Sequence, residues 1–397
     1  MFISKKALLA ATLFATALTT TYAQVDPDDD ETPEYKIVKV GGAHPIIGVS
    51  AERLFGDWTG KHNKTYTSAA EKKKRMDIWL QTDSKIKAHN KKYDAGQVKW
   101  YMGHNEYSDM TPEEFANHFN LFASIDQDPI EQLGMPVSNN FVEQVKRLQK
   151  GRGLRSSNNL KDAVDWKSLG VVTDVKNQGG CGSCWAFAAT AGMESVKAIN
   201  DGELIGLSEQ ELVDCSSEED GNYGCQGGWP KNAVTKYVKK KRGGICSDVD
   251  YPYTGGETGS CLADSCTVVP GTLFSGCRYA YSPHDPTQRS AQGVMDAVAV
   301  SPVIVAVSAA PYADWLSYAG GIFDNAECGL ETETPVDHAV LLTGYGEDAD
   351  GNMFWEFKNS WGAGWGDAGY IKFDRDPTLT DHDGRCGMLR YIMQPFF

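Results

Sequence analysis

No cysteine occurs in the first 180 residues of this 397-residue chain, and all ten fall between Cys181 and Cys386. Cys181 and Cys184 form the one CxxC pair, and no HxxxH accompanies it. A zinc site needs a second ligand pair at matching spacing, so no metal and no cofactor is expected. A thioredoxin-type couple follows a strand and has its aromatic ahead of the pair, whereas here Trp185 comes after it. Positive charge is short as well: 38 Lys and Arg stand against 53 Asp and Glu, a net of −15. The deficit is local. Residues 1–159 carry 21 basic and 20 acidic groups, residues 160–397 carry 17 and 33. An acidic C-terminal part argues against nucleic acid or an anionic membrane surface as partner. Long apolar runs are also missing beyond residue 23, so no later segment is expected to span a bilayer. "AVAVSPVIVAVSAA" (297–310), the richest, is interrupted by Ser301 and Pro302 and predicts a helix end, a break and a buried strand. There is no internal repeat.

What is present divides the chain. Lys5 and Lys6, an apolar run from Ala7 to Leu18 and the ending Thr21-Tyr22-Ala23 read as a secretory signal peptide over 1–23. In a chain entering that pathway, ten cysteines imply a disulfide framework. Residues 24–49 form an acidic leader, and 50–119 read as helical. There "ERLFGDWTGKH" puts Leu54, Phe55 and Trp58 on one face, and a longer helix carries Met76, Trp79 and Ile86 on a stripe. Glu71 and Arg75 are spaced for an i,i+4 pair. Thr111-Pro112-Glu113-Glu114 predicts a capped helix start. Residues 120–159 resemble an exposed linker. From residue 160 onward helices come first, the earliest running from Cys184 to Asn200, with a capping box at Ser208–Glu211 and a further helix over 229–241. Strands come after Val303. That order predicts an α+β domain with two lobes and a cleft.

One cysteine of "QGGCGSCWAF" as a nucleophile would need a histidine partner. Three histidines follow Cys184. His284 in "SPHDP" and His382 in "DHDGR" look turn-like and solvated, whereas His338 begins the buried strand pattern "HAVLLTGYG". With "CGSCW", "VDHAV" 154 residues after Cys184, and "KNSWGAGWGDAGY" beyond it, the sequence resembles the papain-like cysteine proteases. The resemblance covers roughly residues 50–397. It implies a papain-like two-lobed fold, a helical lobe plus an antiparallel β-barrel-like lobe with the active site in the cleft. Cys184 would be the nucleophile, His338 the general base and acid, Asn359 the amide orienting the imidazole, and Gln178 an oxyanion donor. Gly228 would bind substrate backbone. Trp229, Pro230, Ala306, Val336 and Tyr391 would line an apolar pocket preferring a hydrophobic residue two places before the scissile bond. Asp337 and Trp361 complete the implied substrate wall. The implied disulfides are Cys181–Cys225, Cys215–Cys261 and Cys328–Cys386. Cys246, Cys266 and Cys277 are left over, with a Cys266–Cys277 bridge and a free Cys246 expected.

Glu71, Arg75, Trp79, Thr82, Ile86 and Asn90 resemble the spaced ERFNIN signature of this family's inhibitory propeptides, and "GHNEYSD" resembles the motif that accompanies it. A zymogen follows: a small helical prodomain over 50–119, a cleft-spanning segment and processing linker over 120–159, and a peptidase domain over 160–397. Its partners would be protein or peptide substrates, its own propeptide as intramolecular inhibitor, and cystatin-like inhibitors, with the chain a monomer. Its place would be the secretory pathway, either extracellular or in a lysosome or vacuole. Lys72, Lys73, Lys74 and Arg75, with Lys146, Arg147, Lys150, Arg152 and Arg155, are candidates to complement the acidic peptidase domain. Acid would then release the propeptide by neutralising the carboxylates they meet. Asn63-Lys64-Thr65 is the one N-glycosylation sequon. No histidine-bearing insertion follows "GCQGGWP", which favours an endopeptidase. The alternatives are a transpeptidase or ligase using the same acyl-enzyme, and a non-catalytic binding or storage homologue.

Overall fold

Two N-capped helices open the described chain. Ser50 caps α1 (Ala51–Lys61) and Ser68 caps α2 (Ala69–Asp94), each hydroxyl accepting from the N–H three residues on. The computed structural model describes residues 50–121, 163–310, 314–325, 327–328, 335–375 and 383–397. The expected signal peptide, the acidic leader, most of the linker with its five basic residues, and His382 lie outside them.

Phe55, Trp58 and Trp79 build a small core between α1 and α2, with Tyr66, Met76 and Leu80 against it. Leu54, expected on this face, is exposed, because the packing narrows to the Phe55/Trp58 pair. Arg75 does not close the expected pair with Glu71. It reaches Glu114 at 2.7 Å and the Asp109 carbonyl at 2.9 Å, while Glu71 accepts the Thr67 N–H at 2.8 Å. The carboxylate serves a nearby unpaired donor, and the longer guanidinium crosses to α3 (Pro112–His118), whose Thr111/Glu114 capping box is complete. Ile86, Trp100, Met102, Tyr107, Phe115, Phe119 and Leu121 belong to the main core, so the lower half of this N-terminal region folds directly onto the rest.

The main sheet follows the order β1 (Trp100–Met102), β5 (Tyr318–Phe323), β8 (Tyr370–Asp374), β7 (Met353–Lys358), β6 (His338–Glu347), β4 (Val303–Val307), β9 (Ile392–Phe396), β3 (Gly276–Tyr279), and β2 (Val164–Asp165) pairs with β6. Neighbours are antiparallel except β5 and β8, which run parallel. β4 is buried at all five positions and follows a helix over Ala291–Val298, as the broken apolar run predicts.

Against this sheet packs α4 (Cys184–Asp201), buried from Cys184 through Ile199 and ended by Gly202 at φ 85°. α5 (Glu209–Cys215) is capped by Ser208, but the capping box is half-formed. Glu211 turns away from Ser208 to accept the Cys246 N–H at 2.7 Å. Pro230–Asn232 starts the third helix, which continues as a π-helix over Ala233–Arg242.

The disulfides Cys181–Cys225, Cys215–Cys261 and Cys328–Cys386 are those the resemblance implies. The fourth corrects the expectation: Cys246 pairs with Cys266, and Cys277 is in no disulfide. A β-bridge between Cys246 and Val268 brings Cys266 beside Cys246, while Cys277 is locked into β3 opposite Pro395 of β9.

Candidate active site

Helix α4 begins at Cys184, so the sulfur sits at the positive end of an 18-residue helix. Burial nevertheless pushes the thiol up to about 12. The N–H groups of Ala339, Trp185 and Cys184 itself work against that push and favour the anion, while the Asp337 carboxylate adds to it. The Ala339 contact brings the start of β6 to the thiol, and His338 is the first residue of that strand. His338 is fully buried, which holds its imidazole down at about 4 although Asn359 favours the charged form.

The tautomer of this ring follows from its partners. Asn359 Oδ1 accepts the Ser360 backbone N–H at 2.8 Å, so that atom is an oxygen and cannot donate. His338 Nε2, 2.8 Å from the same oxygen, is therefore the protonated nitrogen. Nδ1 carries the lone pair, is buried, and has no hydrogen-bond partner among the described residues. A buried acceptor without a proton, on the residue preceding Ala339, is equipped to take one.

Trp361 covers this pair. Its ring stacks on His338 at 4.7 Å and on Phe119 at 4.7 Å, with Phe115 edge-on at 5.0 Å. Gln178, six residues before Cys184, is buried and tied to Ser360 and Cys181. Its backbone N–H donates to the Ser360 carbonyl at 2.8 Å, its Oε1 accepts the Ser360 hydroxyl at 2.7 Å, and its Nε2 donates to the Cys181 carbonyl at 2.9 Å. An amide has two N–H bonds, so a second donor remains at Nε2.

The remaining wall residues are found as follows. Gly228 passes over Trp185 so closely that a Cβ would lie 2.7 Å from that ring and 2.6 Å from Asn222 Oδ1, which only glycine allows. Trp229 is buried, edge-on to Tyr391 at 4.9 Å, and donates to the Tyr279 hydroxyl at 2.9 Å. Pro230 follows at the helix start, Ala306 donates its N–H to the Tyr391 carbonyl at 3.3 Å, and Val336 is buried. The Asp337 carboxylate accepts the N–H groups of Ala309 and Ala310 at 2.7 and 3.0 Å, and burial raises it to about 7. His284 is exposed, far in sequence and type of surroundings from this cluster.

Residues 160–396 match the model of the papain family of cysteine proteases, and residues 55–115 match that of the cathepsin propeptide inhibitor domain. The chain belongs to the papain family. It is 36% identical over 352 residues to a cathepsin L-like proteinase of Phaedon cochleariae, covering 88% of this chain and 95% of that one. It is also 36% identical over 353 residues to digestive cysteine proteinase 2 of Homarus americanus, covering 88% and 97%. Procathepsin L 3 from the larval midgut of Tenebrio molitor superposes with a TM-score of 0.69 at 32% identity, covering 88% of this chain and all of that one. The protein is thus a papain-family cysteine peptidase carrying an inhibitory propeptide domain.

In this family member the prodomain reaches the thiol's surroundings. β1 pairs with β5, and Tyr107 donates to the Trp361 carbonyl at 3.2 Å. Asn120 donates to the Cys225 carbonyl at 2.9 Å, and its side chain fills the space beside Gly182, whose own N–H bonds that same carbonyl. The basic run does not dock as expected: Lys74 and Arg75 bind Glu114 inside the prodomain, and Lys72 and Lys73 are exposed. Lys85 to Asp314 at 2.6 Å and Lys99 to Asp374 at 3.1 Å cross to the peptidase domain instead.

Several residues around the site escaped the sequence reading. Trp315 is edge-on to His338 at 6.3 Å, and Tyr279 anchors Trp229. Asn359 and Ser360 border a small, partly open pocket with room for a water, lined by Lys176, Glu194, Glu209 and Lys358 among others. Lys176 binds Glu194 at 2.9 Å and Glu209 at 2.8 Å. Burial raises Glu209, whereas Glu194, despite its burial, is held below the usual carboxylate range by Lys176 and Lys358. One signal was available: Glu194 and Lys197 interrupt a helix otherwise made of apolar and small residues, and a charge there must find a partner.

Proposed function

We propose that the chain is the zymogen of a cysteine endopeptidase acting through a Cys184 thioester. The observation that carries this reading is the protonated Nε2 of His338 on Asn359, which leaves a buried Nδ1, unpartnered among the described residues, on the residue preceding Ala339, whose N–H faces the thiol. Cys184 gives its proton to Nδ1 and the sulfur attacks the scissile carbonyl carbon. The oxyanion is held by Gln178 Nε2–H and the Cys184 backbone N–H, donors of a kind worth about 3–4 kcal/mol each in acyl transfer. The imidazolium returns the proton to the leaving amine nitrogen and the C–N bond breaks, leaving the thioester. His338 then deprotonates a water, whose oxygen attacks the thioester and releases the acid and the thiol.

Gly228 would bind substrate backbone, with Asp337 and Trp361 at the rim of the site. Trp229, Pro230, Ala306, Val336 and Tyr391 form the apolar pocket for a hydrophobic residue two places before the cleaved bond. Hydrolysis is preferred over transpeptidation because no second acceptor site is needed for it. In this proposal residues 1–23 are a signal peptide, 24–49 a leader, 50–119 the prodomain, 120–159 a cleft segment and linker, and 160–397 the peptidase, with processing near 158–160. The disulfide-rich peptidase domain fits the secretory pathway, extracellular or lysosomal or vacuolar, with Asn63, which is exposed at φ 50°, as the glycosylation site. Cystatin-like inhibitors and a monomeric state complete the reading.

The test is to activate the full chain in acid, label it with an epoxysuccinyl electrophile and map the modified residue. Label on Cys184, loss of turnover in Cys184→Ser and His338→Ala, and retention in His284→Ala are expected. Robust peptidase activity in either of the first two variants overturns the assignment.

A further inference from the structure

Tyr253 has no role in the scheme above, yet its hydroxyl stands between two parts of it. The phenol oxygen is 2.8 Å from the Gln178 carbonyl oxygen and 2.7 Å from Ser183 Oγ. A carbonyl only accepts, so the single phenol proton goes to Gln178, and the Ser183 hydroxyl must donate to the phenol oxygen. The other acceptor within reach of Ser183, the Cys181 carbonyl, is 3.5 Å away and the weaker choice. The tyrosine ring is held edge-on to Phe187 at 4.8 Å, one turn into α4. A directed chain therefore runs from Ser183 through Tyr253 to Gln178.

Ser183 immediately precedes Cys184, whose N–H is one proposed oxyanion donor. Gln178 carries the other. Ser360 ties Gln178 to the loop after β7 through its backbone N–H and its Oε1. Tyr253 is the link from the Gln178 main chain to the start of α4. We infer that Tyr253 is a positioning residue that fixes the spacing between Gln178 and the Cys184 backbone N–H, and so sets the rate of attack on peptide amides. This rests on the reading of Cys184 and Gln178 given above.

Tyr253→Phe keeps the ring and removes the hydroxyl. The oxyanion exists only in the transition state, so kcat for a peptide amide is expected to fall about tenfold while KM stays within about twofold. Alkylation of Cys184 by iodoacetamide displaces iodide at a saturated carbon and forms no oxyanion. Its rate and pH profile are expected to match those of the unsubstituted enzyme. An unchanged kcat overturns the inference, and so does a parallel loss of alkylation and hydrolysis, which marks a general disturbance of the thiol. Should Tyr253→Phe fail to fold, Ser183→Ala removes the donor to the phenol and is read by the same pair of rates. The reading beneath is tested separately in the unsubstituted enzyme. Turnover that survives complete alkylation of Cys184 sinks that reading, whatever the variants do.

Discussion

At the scale of single residues, the decisive quantity is the charge state of two buried groups. With the prodomain in place, burial favours a neutral thiol and a neutral imidazole at Cys184 and His338. Both groups are held without charge. Cys184, His338 and Asn359 stand out in the sequence because a nucleophile motif and a strand-initial histidine each carry a chemical signature, and the structure joins His338 to Asn359 at 2.8 Å. Tyr253 and Tyr279 do not stand out, because a tyrosine that serves through one hydroxyl leaves the same mark as one that packs. The pocket around Trp229 and Tyr391 is apolar at every side chain the reading assigns to it, which leads to a specificity prediction. A peptide library scored by kcat/KM should favour Leu or Phe two places before the cleaved bond over Arg by at least about tenfold, since an unpaired guanidinium would be desolvated there. A clear preference for Arg would refute the pocket.

Secondary-structure elements carry the inhibition. β1 adds an edge strand to β5, and Trp100 fills the joint, 4.8 Å from Phe323 and 6.2 Å from Tyr318. Replacing a buried tryptophan by alanine costs about 3–5 kcal/mol. Trp100→Ala should therefore loosen the prodomain while sparing the processed enzyme, which no longer contains residue 100. Processing at neutral pH is expected to accelerate, with unchanged kcat/KM after processing; an unaltered processing rate would show that the joint does not hold the prodomain down. Helix starts at Thr111, Ser208 and Cys184 were readable from local residues, because caps act within one turn. The Cys246–Cys266 bridge was not, because spacing carries no connectivity and β3 had to be seen to exclude Cys277. Nor was the Arg75–Glu114 contact, which depends on how two helices pack.

For the whole molecule, the question is what acid does. Glu114 is desolvated, yet Thr111, Lys74 and Arg75 hold its carboxyl down at about 2. Its contribution is present above the unfolded value near 4.3 and is lost only as pH falls toward 2, so this link survives mild acid. The prodomain histidines behave otherwise. Burial lowers His62, His89, His104 and His118 below the ordinary value. His104 is stacked 4.4 Å from Trp79 with Asp83 at 3.3 Å from Nε2, and His118 leans on Phe119 at 4.7 Å next to Gly180. Asp83 favours charge on His104 while Lys87 opposes it, and Glu106 and Lys64 do the same at His118. An unfolded prodomain binds these protons more readily, so the stability they lend is full above about pH 6.5 and is lost as pH falls below it. Processing of the full chain should be faster at pH 4.5 than at pH 7.5, and the paired change His104→Gln and His118→Gln should flatten that dependence. Equal rates at both pH values in the unsubstituted chain would contradict the account.

The most direct measurement of the central claim is the rate of Cys184 alkylation by iodoacetamide against pH, before and after propeptide removal. The account predicts an intact chain that reacts appreciably only in strong alkali, and a processed enzyme whose rate is already high in mild acid and flat through neutrality. A processed enzyme whose thiol titrates near 8.5, the ordinary value, would contradict it, as would identical profiles for the two forms.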